Sequence, residues 1–240
     1  MKDIPDKSID MILCDLPYGT TACKWDTIIP FEPLWEQYKR IIKDNGAIVL
    51  TASQPFTSAL VMSNPKMFKY EWIWKKSRTV GFLNSKNAPL KQHENVLVFS
   101  RGMTSNGNKN NMLYFPQGLI EINEIRKSVK QEGDTIVGVR PSRNKDYVSK
   151  HKGYPKSFIE INNEIKQVHP TQKPVALFEY LIKTYTNEGD LVLDNCAGSF
   201  TTAIAAENTK RNWICMEQLE EYCEIGKKRI NENRIKLTQP

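Results

Sequence analysis

The sequence predicts an α/β fold built on a doubly wound, mostly parallel sheet. Two observations support this prediction: short apolar runs alternate with segments of helical periodicity towards both ends of the chain, and small or polar residues follow directly after several of those runs. In open sheets of this kind, ligands gather beyond the carboxyl ends of the strands. The residues that follow the apolar runs are therefore the candidate site residues.

Strands and helices alternate through the first part of the chain. The apolar runs 9–14 and 46–52 predict buried strands, and the apolar spacing of 31–44 predicts a helix between them, with prolines suited to its start and Asn45-Gly46 suited to its end. The same patterns predict strands at 70–74 and 93–99 and a helix at 55–62.

Regular patterns return only near the end of the chain. From about residue 100 to 168, isolated apolar residues stand among Asn, Gly, Lys and Arg, which predicts an insert or a mobile region. The remaining segments predict, in order, a helix at 172–186, a strand at 191–194, a helix at 201–208, a strand at 213–217 and a helix at 219–235.

Composition excludes several classes of protein. No apolar run approaches the roughly 20 residues of a membrane span, and the N-terminus lacks the pattern of a secretory signal, so we expect a soluble cytoplasmic protein. The five cysteines show no paired spacing, which predicts neither a disulfide framework nor a metal site. The formal charge of +7 favours a polyanionic partner, although a solvated basic surface explains it equally well.

The segment Asp15-Leu16-Pro17-Tyr18 follows the first predicted strand. The amine of a nucleobase is a poor nucleophile, and the Asp15 carboxylate and Leu16 carbonyl could accept hydrogen bonds from both of its hydrogens, held in place by the rigid Pro17. The Tyr18 ring could stack on an extruded base, a contact worth about 1–3 kcal/mol. Taken alone, the segment is equally compatible with a simple turn.

A second candidate element is the run Asp194-Asn195-Cys196-Ala197-Gly198-Ser199, which joins a predicted strand to a predicted helix. Small residues allow close backbone approach to a ligand, and the amides at the helix start could hold a carboxylate. Glu217 ends the next predicted strand, where an acid binds ribose hydroxyls in nucleotide-binding sheets. A single loop of this kind is a weak signal by itself.

A third candidate element is His169-Pro170-Thr171-Gln172-Lys173-Pro174, directly before a helical pattern. Thr171 could cap that helix, so by itself the segment reads as a helix start with surface His and Lys residues.

The three elements, in this order, resemble the beta group of DNA amino-methyltransferases, which methylate adenine N6 or cytosine N4, and phage chains look especially similar. The resemblance spans nearly the whole chain and implies a Rossmann-like, S-adenosylmethionine-dependent methyltransferase fold with permuted motif order. It implies a catalytic half at 1–99, a target-recognition insert at 100–168 and a cofactor-binding half at 169–240.

The resemblance also assigns residues. It implies catalytic roles for Asp15, Leu16, Pro17 and Tyr18, and S-adenosylmethionine contacts for Thr171, Lys173, Asp194, Cys196, Gly198, Ser199 and Glu217. An Asp at the start of the tetrapeptide is commoner among the adenine enzymes, which favours adenine over cytosine.

Within the predicted insert, basic residues among Asn, Ser and Tyr suit phosphate contacts with double-stranded DNA. As single residues, each is equally compatible with a solvated surface. The candidates are Arg126, Lys127, Lys130, Arg140, Arg143 and Lys145.

Two features depart from the family pattern. Phe200 stands where the family usually has Gly, so we expect its ring to crowd the cofactor or block the tight loop. Relatives also carry a further strand before the equivalent of Met1, so we expect one sheet position to be empty, filled differently, or supplied by a partner subunit or a second copy.

The expected reaction is direct in-line methyl transfer without a covalent enzyme intermediate and without a metal. Two alternatives remain open from the sequence: a catalytically silent DNA-binding or regulatory protein that keeps the fold, and an amino-methyltransferase that acts on RNA or another substrate.

Overall fold

A computed structural model describes residues 1–21, 23, 26–126, 147–164 and 172–238. These residues form two compact units, of which the first comprises Met1–Phe115 with Ser157–Pro240 and the second comprises Pro116–Lys156. Across the described ranges, we find no helix with both the length and the apolar character needed to cross a bilayer.

The chain alternates strands and helices much as predicted. The elements are β1 (Ile9–Cys14), α1 (Phe31–Ile41), β2 (Ile42–Ala52), α2 (Phe56–Ser63), β3 (Phe68–Val80), a short 3-10 turn (Phe82–Asn84), β4 (Lys91–Phe99), β5 (Ile120–Arg126), β6 (Tyr147–Lys152), β7 (Phe158–Glu160), α3 (Val175–Tyr185), β8 (Leu191–Asp194), α4 (Thr201–Asn208), β9 (Asn212–Cys215) and α5 (Glu220–Thr238).

One sheet organises the first unit. Among the described residues it has seven strands in the order β7-β3-β4-β2-β1-β8-β9. β1 pairs in parallel with β2 and β8, β8 pairs in parallel with β9, and β3 pairs in parallel with β7, whereas β4 runs antiparallel to β2 and β3. The predicted α/β fold with a mostly parallel sheet is confirmed.

The two faces of the sheet bury separate cores, as a doubly wound fold requires. Because successive side chains of a strand point to opposite faces, Ile12 of β1 joins the core under α1 and α2, while Met11 and Leu13 join the core under α3 and α4. Helix α1 contributes Leu34, Trp35, Tyr38 and Ile41 at helical spacing. All six β1 residues are buried, which fixes the position of the tetrapeptide that follows.

At one boundary the structure has strand where the sequence predicts helix. The helix predicted over 31–44 ends at Ile41, and β2 begins at Ile42. Ile42 has extended backbone (φ −74°, ψ 138°) and pairs with Ile9 of β1. Pairing with the buried β1 stabilises the extended form here, whereas the apolar spacing alone continues smoothly from helix to strand.

The second unit lies inside the predicted insert but is narrower than it. Its strands β5 and β6 form a two-stranded antiparallel sheet. β7 also falls within 100–168, yet it extends the main sheet beside β3.

Phe200 adopts an uncommon backbone conformation just before α4. Its φ of 61° and ψ of 35° lie in the left-handed region, where a glycine is usual. A Cβ placed on Gly226 of α5 would overlap the Phe200 ring carbons. The ring therefore fills the space that the missing side chain of Gly226 leaves, and it packs with Ala203, Ile204 and Ile230.

This packing predicts the effect of substituting Gly226. We expect Gly226→Ala to lower the free energy of unfolding by about 1–3 kcal/mol, because the added methyl overpacks the contact with Phe200. In a Phe200→Gly background the same change should instead stabilise α5 by up to about 1 kcal/mol, since Ala favours a helix interior over Gly. Urea unfolding of the wild type, both single variants and the double variant measures the coupling.

Asn231→Ala, on an exposed position of α5, is the control for added helix propensity. Equal effects of Gly226→Ala in the two backgrounds would contradict the contact.

Candidate active site

The first unit contains a cavity of about 820 Å³ at the carboxyl ends of β1 and β8. Ten of the eleven residues that the sequence singled out for catalysis or cofactor contact line it, from both ends of the chain. They are Asp15, Leu16, Pro17, Tyr18, Lys173, Asp194, Cys196, Gly198, Ser199 and Glu217. The remaining one, Thr171, lies outside the described residues.

Asp15 is held by three donors. Its Oδ1 accepts hydrogen bonds from the Tyr18 hydroxyl at 2.7 Å and from the Thr51 hydroxyl, and its Oδ2 accepts one from the Lys173 ammonium at 2.6 Å. Thr51 reaches Asp15 because β2 runs parallel to β1 in the register Cys14–Leu50. A carboxylate offers about four acceptor positions, so Oδ2 keeps one for a ligand.

Lys173 belongs to a cluster of two acids and two bases. Its ammonium also lies 3.4 Å from Glu94, which pairs in turn with Lys76. Burial acts to lower the pKa of Lys173, but Asp15 and Glu94 raise it above its usual value. Burial acts to raise the pKa of Glu94, but Lys173 and Lys76 bring it below its usual value. The cluster sets two carboxylates against two ammonium groups, so its formal charges cancel.

Tyr18 is fixed by its ring as well as by its hydroxyl. Its ring stacks on Phe56 with centroids 5.3 Å apart, and the Lys173 ammonium lies 5.5 Å from its centroid. Burial, and then the charge of Asp15, raises the pKa of Tyr18 well above its usual value. Tyr18 therefore keeps its proton and donates a hydrogen bond to Asp15.

The loop after the tetrapeptide is organised by Asp26. The Asp26 carboxylate accepts backbone N–H bonds from Gly19, Thr20 and Thr21 at 2.7–2.9 Å. Burial acts to raise the pKa of Asp26, but these amides bring it below its usual value. Gly19 has φ +68°, a conformation that favours glycine, so the turn needs this residue where the chain folds back towards Asp26.

Glu217 fixes the small-residue loop, which we define as residues 195–199. Its Oε2 accepts the N–H of Gly198 at 2.8 Å, while its Oε1 accepts the N–H groups of Gln218 and Leu219 at 2.9 Å. The carboxylate thus joins the loop to the segment between β9 and α5. One of its about four acceptor positions stays available, on Oε2.

Asp194 supports the same loop from beneath. It is buried at the end of β8, where it accepts hydrogen bonds from the Cys196 amide at 3.0 Å and from the Thr202 hydroxyl. Burial raises the pKa of Asp194 to about 6, although both of these donors act to lower it. Asp194 therefore holds the loop and the start of α4 together while it contributes to the cavity wall.

Arg229 of α5 holds the other end of the loop. Its guanidinium donates to the backbone carbonyl of Ser199, to the Ser199 hydroxyl at 2.9 Å and to the Thr201 hydroxyl at 3.3 Å. Phe200, between these two residues, turns its ring onto Gly226 and is not among the residues that line the cavity. The expectation that this ring crowds the cofactor is wrong, because Gly226 provides the space for it on the side of α5.

Sequence reasoning missed several residues of this site. Thr51 and Ser53 follow the rule for parallel strands, because they lie at the carboxyl end of β2 and just beyond it, beside β1. Glu94 could not be found by that rule, since β4 is antiparallel to β2 and brings its amino end to the cavity. Lys76 was missed because β3 continues beyond the strand predicted over 70–74.

The proposed DNA contacts fall almost entirely outside the described residues. Lys127, Lys130, Arg140, Arg143 and Lys145 lie there, and Arg126 is the last residue of β5.

The chain resembles known proteins along nearly its whole length. A family profile described as DNA methylase matches residues 9–228. The type II methyltransferase M.HpaI of Haemophilus parainfluenzae is 26% identical over 245 residues, which cover 96% of this chain and 71% of that protein. The DNA adenine methyltransferase YhdJ of Escherichia coli (strain K12) is 28% identical over 246 residues, which cover 96% of this chain and 79% of that protein.

Solved structures share the fold. The M1.HpyAVI–SAM complex aligns with a TM-score of 0.59 at 24% identity, covering 92% of this chain and 89% of that one. The cytosine-N4-specific PvuII DNA methyltransferase aligns with a TM-score of 0.62 at 16% identity, covering 97% of this chain and 86% of that one. With a family match over residues 9–228 and the predicted motifs gathered at one cavity, the chain belongs to the N6/N4 DNA methylase family and is an S-adenosylmethionine-dependent DNA methyltransferase.

Proposed function

We propose that this chain methylates adenine N6 in double-stranded DNA, on a base flipped out of the duplex, by direct in-line transfer from S-adenosylmethionine. The observation that carries the proposal is the single cavity lined by both the tetrapeptide and the small-residue loop. In-line transfer requires the amine and the methyl donor side by side, and this cavity offers a wall suited to each.

The tetrapeptide wall suits an amine acceptor. The free acceptor position on Asp15 Oδ2 takes one amine hydrogen, and the Leu16 carbonyl takes the other, which directs the nitrogen lone pair towards the methyl donor. Tyr18, Thr51 and Lys173 keep the Asp15 carboxylate in one orientation. Lys173 thus acts here as a positioning residue for Asp15, which is more than the cofactor contact that the family pattern implies.

The opposite wall suits S-adenosylmethionine, which supplies an electrophilic methyl group when bound. Glu217 offers an acceptor position for ribose hydroxyls, and the small-residue loop leads into the N-terminus of α4, where backbone amides favour a carboxylate. A volume of about 820 Å³ lies in the range of cofactor and ligand pockets. These residues therefore fit the cofactor.

Adenine is favoured over cytosine by two observations. The tetrapeptide begins with Asp, which is commoner among the adenine enzymes that it resembles, and the E. coli relative at 28% identity is a DNA adenine methyltransferase. Cytosine N4 is the alternative, because a cytosine-N4-specific enzyme shares the fold.

We further propose that the segment 100–168 contributes the target-recognition surface between the catalytic half at 1–99 and the cofactor-binding half at 169–240. Its basic residues suit phosphate contacts, which give affinity that falls as salt rises. The proposed contacts are Arg126, Lys127, Lys130, Arg140, Arg143 and Lys145.

Asp15→Asn should lower methyl transfer at least about 100-fold, because one acceptor oxygen for the amine becomes an amide donor. Unmethylated plasmid DNA is incubated with S-adenosylmethionine and each protein, then sequenced for N6-methyladenine and N4-methylcytosine. The wild type should produce N6-methyladenine at a defined site, and the variant should bind the cofactor with near wild-type affinity.

Asp3→Asn, on an exposed position outside the cavity, is the matched control and should leave transfer unchanged. N4-methylcytosine in place of N6-methyladenine would move the assignment to cytosine. Cofactor binding without any methylated base would support a silent DNA-binding protein, and undiminished turnover by Asp15→Asn would refute the role of Asp15.

Glu217→Gln should weaken S-adenosylmethionine binding about 10- to 100-fold, the usual worth of a hydrogen bond to a charged acceptor. Isothermal titration calorimetry with the cofactor measures this affinity, and thermal unfolding shows whether the small-residue loop survives. Glu221→Gln, an exposed acid at the start of α5, is the control. Equal affinities of Glu217→Gln and wild type would remove Glu217 from the cofactor site.

A further inference from the structure

The tip of the β3–β4 hairpin exposes apolar side chains that the fold itself does not use. We define the apolar tip as Phe82 and Leu83, which are 79% and 98% exposed. Val80 and Leu90 beside them are also exposed. Single exposed apolar residues are ordinary, but neighbouring ones on a projecting hairpin mark a surface that contacts a partner.

The tip has a defined backbone. Gly81 has φ +94° and starts the 3-10 turn Phe82–Asn84, and the Asn84 carbonyl accepts N–H bonds from Asn87 at 2.8 Å and Ala88 at 2.9 Å. The turn presents both apolar side chains on a hydrogen-bonded base.

The charges around the tip select a polyanion as the partner. Between Ser77 and Gln92 the sequence contains Arg78, Lys86 and Lys91 but no Asp or Glu. A second copy of the chain would bring an identical basic tip, and like charges disfavour that contact. Basic residues around exposed apolar side chains match a duplex, which offers phosphates outside and stacked bases inside.

The hairpin also starts at the candidate active site. Trp74, Lys76 and Glu94, at the base of its two strands, line the cavity, and Lys91 contacts Ser53 on the cavity wall. Val80 lies four positions beyond Lys76 along β3, or about 13 Å at 3.3 Å per residue. That length exceeds the depth of the DNA major groove, about 8.5 Å. The tip therefore extends from the cavity on an arm long enough to reach the base stack.

We propose that the apolar tip inserts into the duplex next to the target base and stabilises the flipped-out state by filling the space that the base leaves. This inference rests on the proposed function, since it requires a DNA base in the cavity. Apolar side chains inserted between base steps are a general means of unstacking DNA. The basic residues of the hairpin hold the flanking phosphates, while Phe82 and Leu83 replace the lost stacking.

The test compares a paired substrate with one that is already unpaired. The double variant F82A/L83A and the wild type are assayed on a short duplex carrying the methylated site identified by sequencing, and on the same duplex with a mismatch opposite the target base. The variant should lose about tenfold or more of its rate on the paired duplex but little on the mismatched one, because a mispaired base is easier to extrude. Its affinity for S-adenosylmethionine should stay unchanged.

Two controls separate insertion from general binding. Met62→Ala removes an exposed apolar side chain of α2 outside the tip and should change neither rate. Lys86→Ala should weaken binding to the paired and the mismatched duplex equally, as expected for a phosphate contact.

If F82A/L83A kept the wild-type rate on both duplexes, or lost the same factor on both, the proposed insertion would be overturned. If light scattering showed a dimer for the wild type and a monomer for F82A/L83A, the tip would instead be assigned to self-association. Absence of methylation by the wild type on every DNA would reject the proposed function itself, an outcome distinct from failure of the tip alone.

Discussion

The ion pair between Lys173 and Asp15 joins the two halves of the chain at the cavity. Lys173 precedes α3, Asp15 directly follows β1, and their charged atoms lie 2.6 Å apart with Lys173 almost fully buried. A buried ammonium must find compensating charge, because removing an ion from water costs several kcal/mol. Glu94 and Asp15 supply that charge, so the site is stable only when β1, β4 and the segment before α3 are in place together.

The small-residue loop is fixed through its backbone, which is held by side chains from other segments. Three groups hold its backbone: the Glu217 carboxylate at Gly198, the Arg229 guanidinium at Ser199 and the Asp194 carboxylate at Cys196. The left-handed turn at Phe200 carries a conformational cost, and burial of its ring against Gly226 offsets it. The proposed cofactor wall is therefore shaped by α5 and the segment after β9 as much as by the loop itself.

The sequence predicted the parts of this site that follow from parallel strands. Asp15 directly follows β1 and Asp194 ends β8, and neighbouring parallel strands bring such residues to one edge. Glu94 escaped prediction because no local pattern reveals that β4 runs antiparallel to β2. The pairing of Lys173 with Glu94 and the packing of Phe200 against Gly226 are contacts between segments distant in the sequence. Periodicity and motif spacing carry no information about such contacts.

The cavity lining is acidic, whereas the chain as a whole is basic. The whole chain carries a formal charge of +7, yet the described cavity lining has more carboxylates than ammonium groups, namely Asp15, Asp26, Glu94, Asp194 and Glu217 against Lys76 and Lys173.

An acidic interior favours the cationic sulfonium of the cofactor and an uncharged base, while it disfavours phosphate. A basic exterior, which includes the β3–β4 hairpin, instead favours a polyanion. This separation fits the proposed function, in which the surface binds the DNA backbone and the cavity admits only a base.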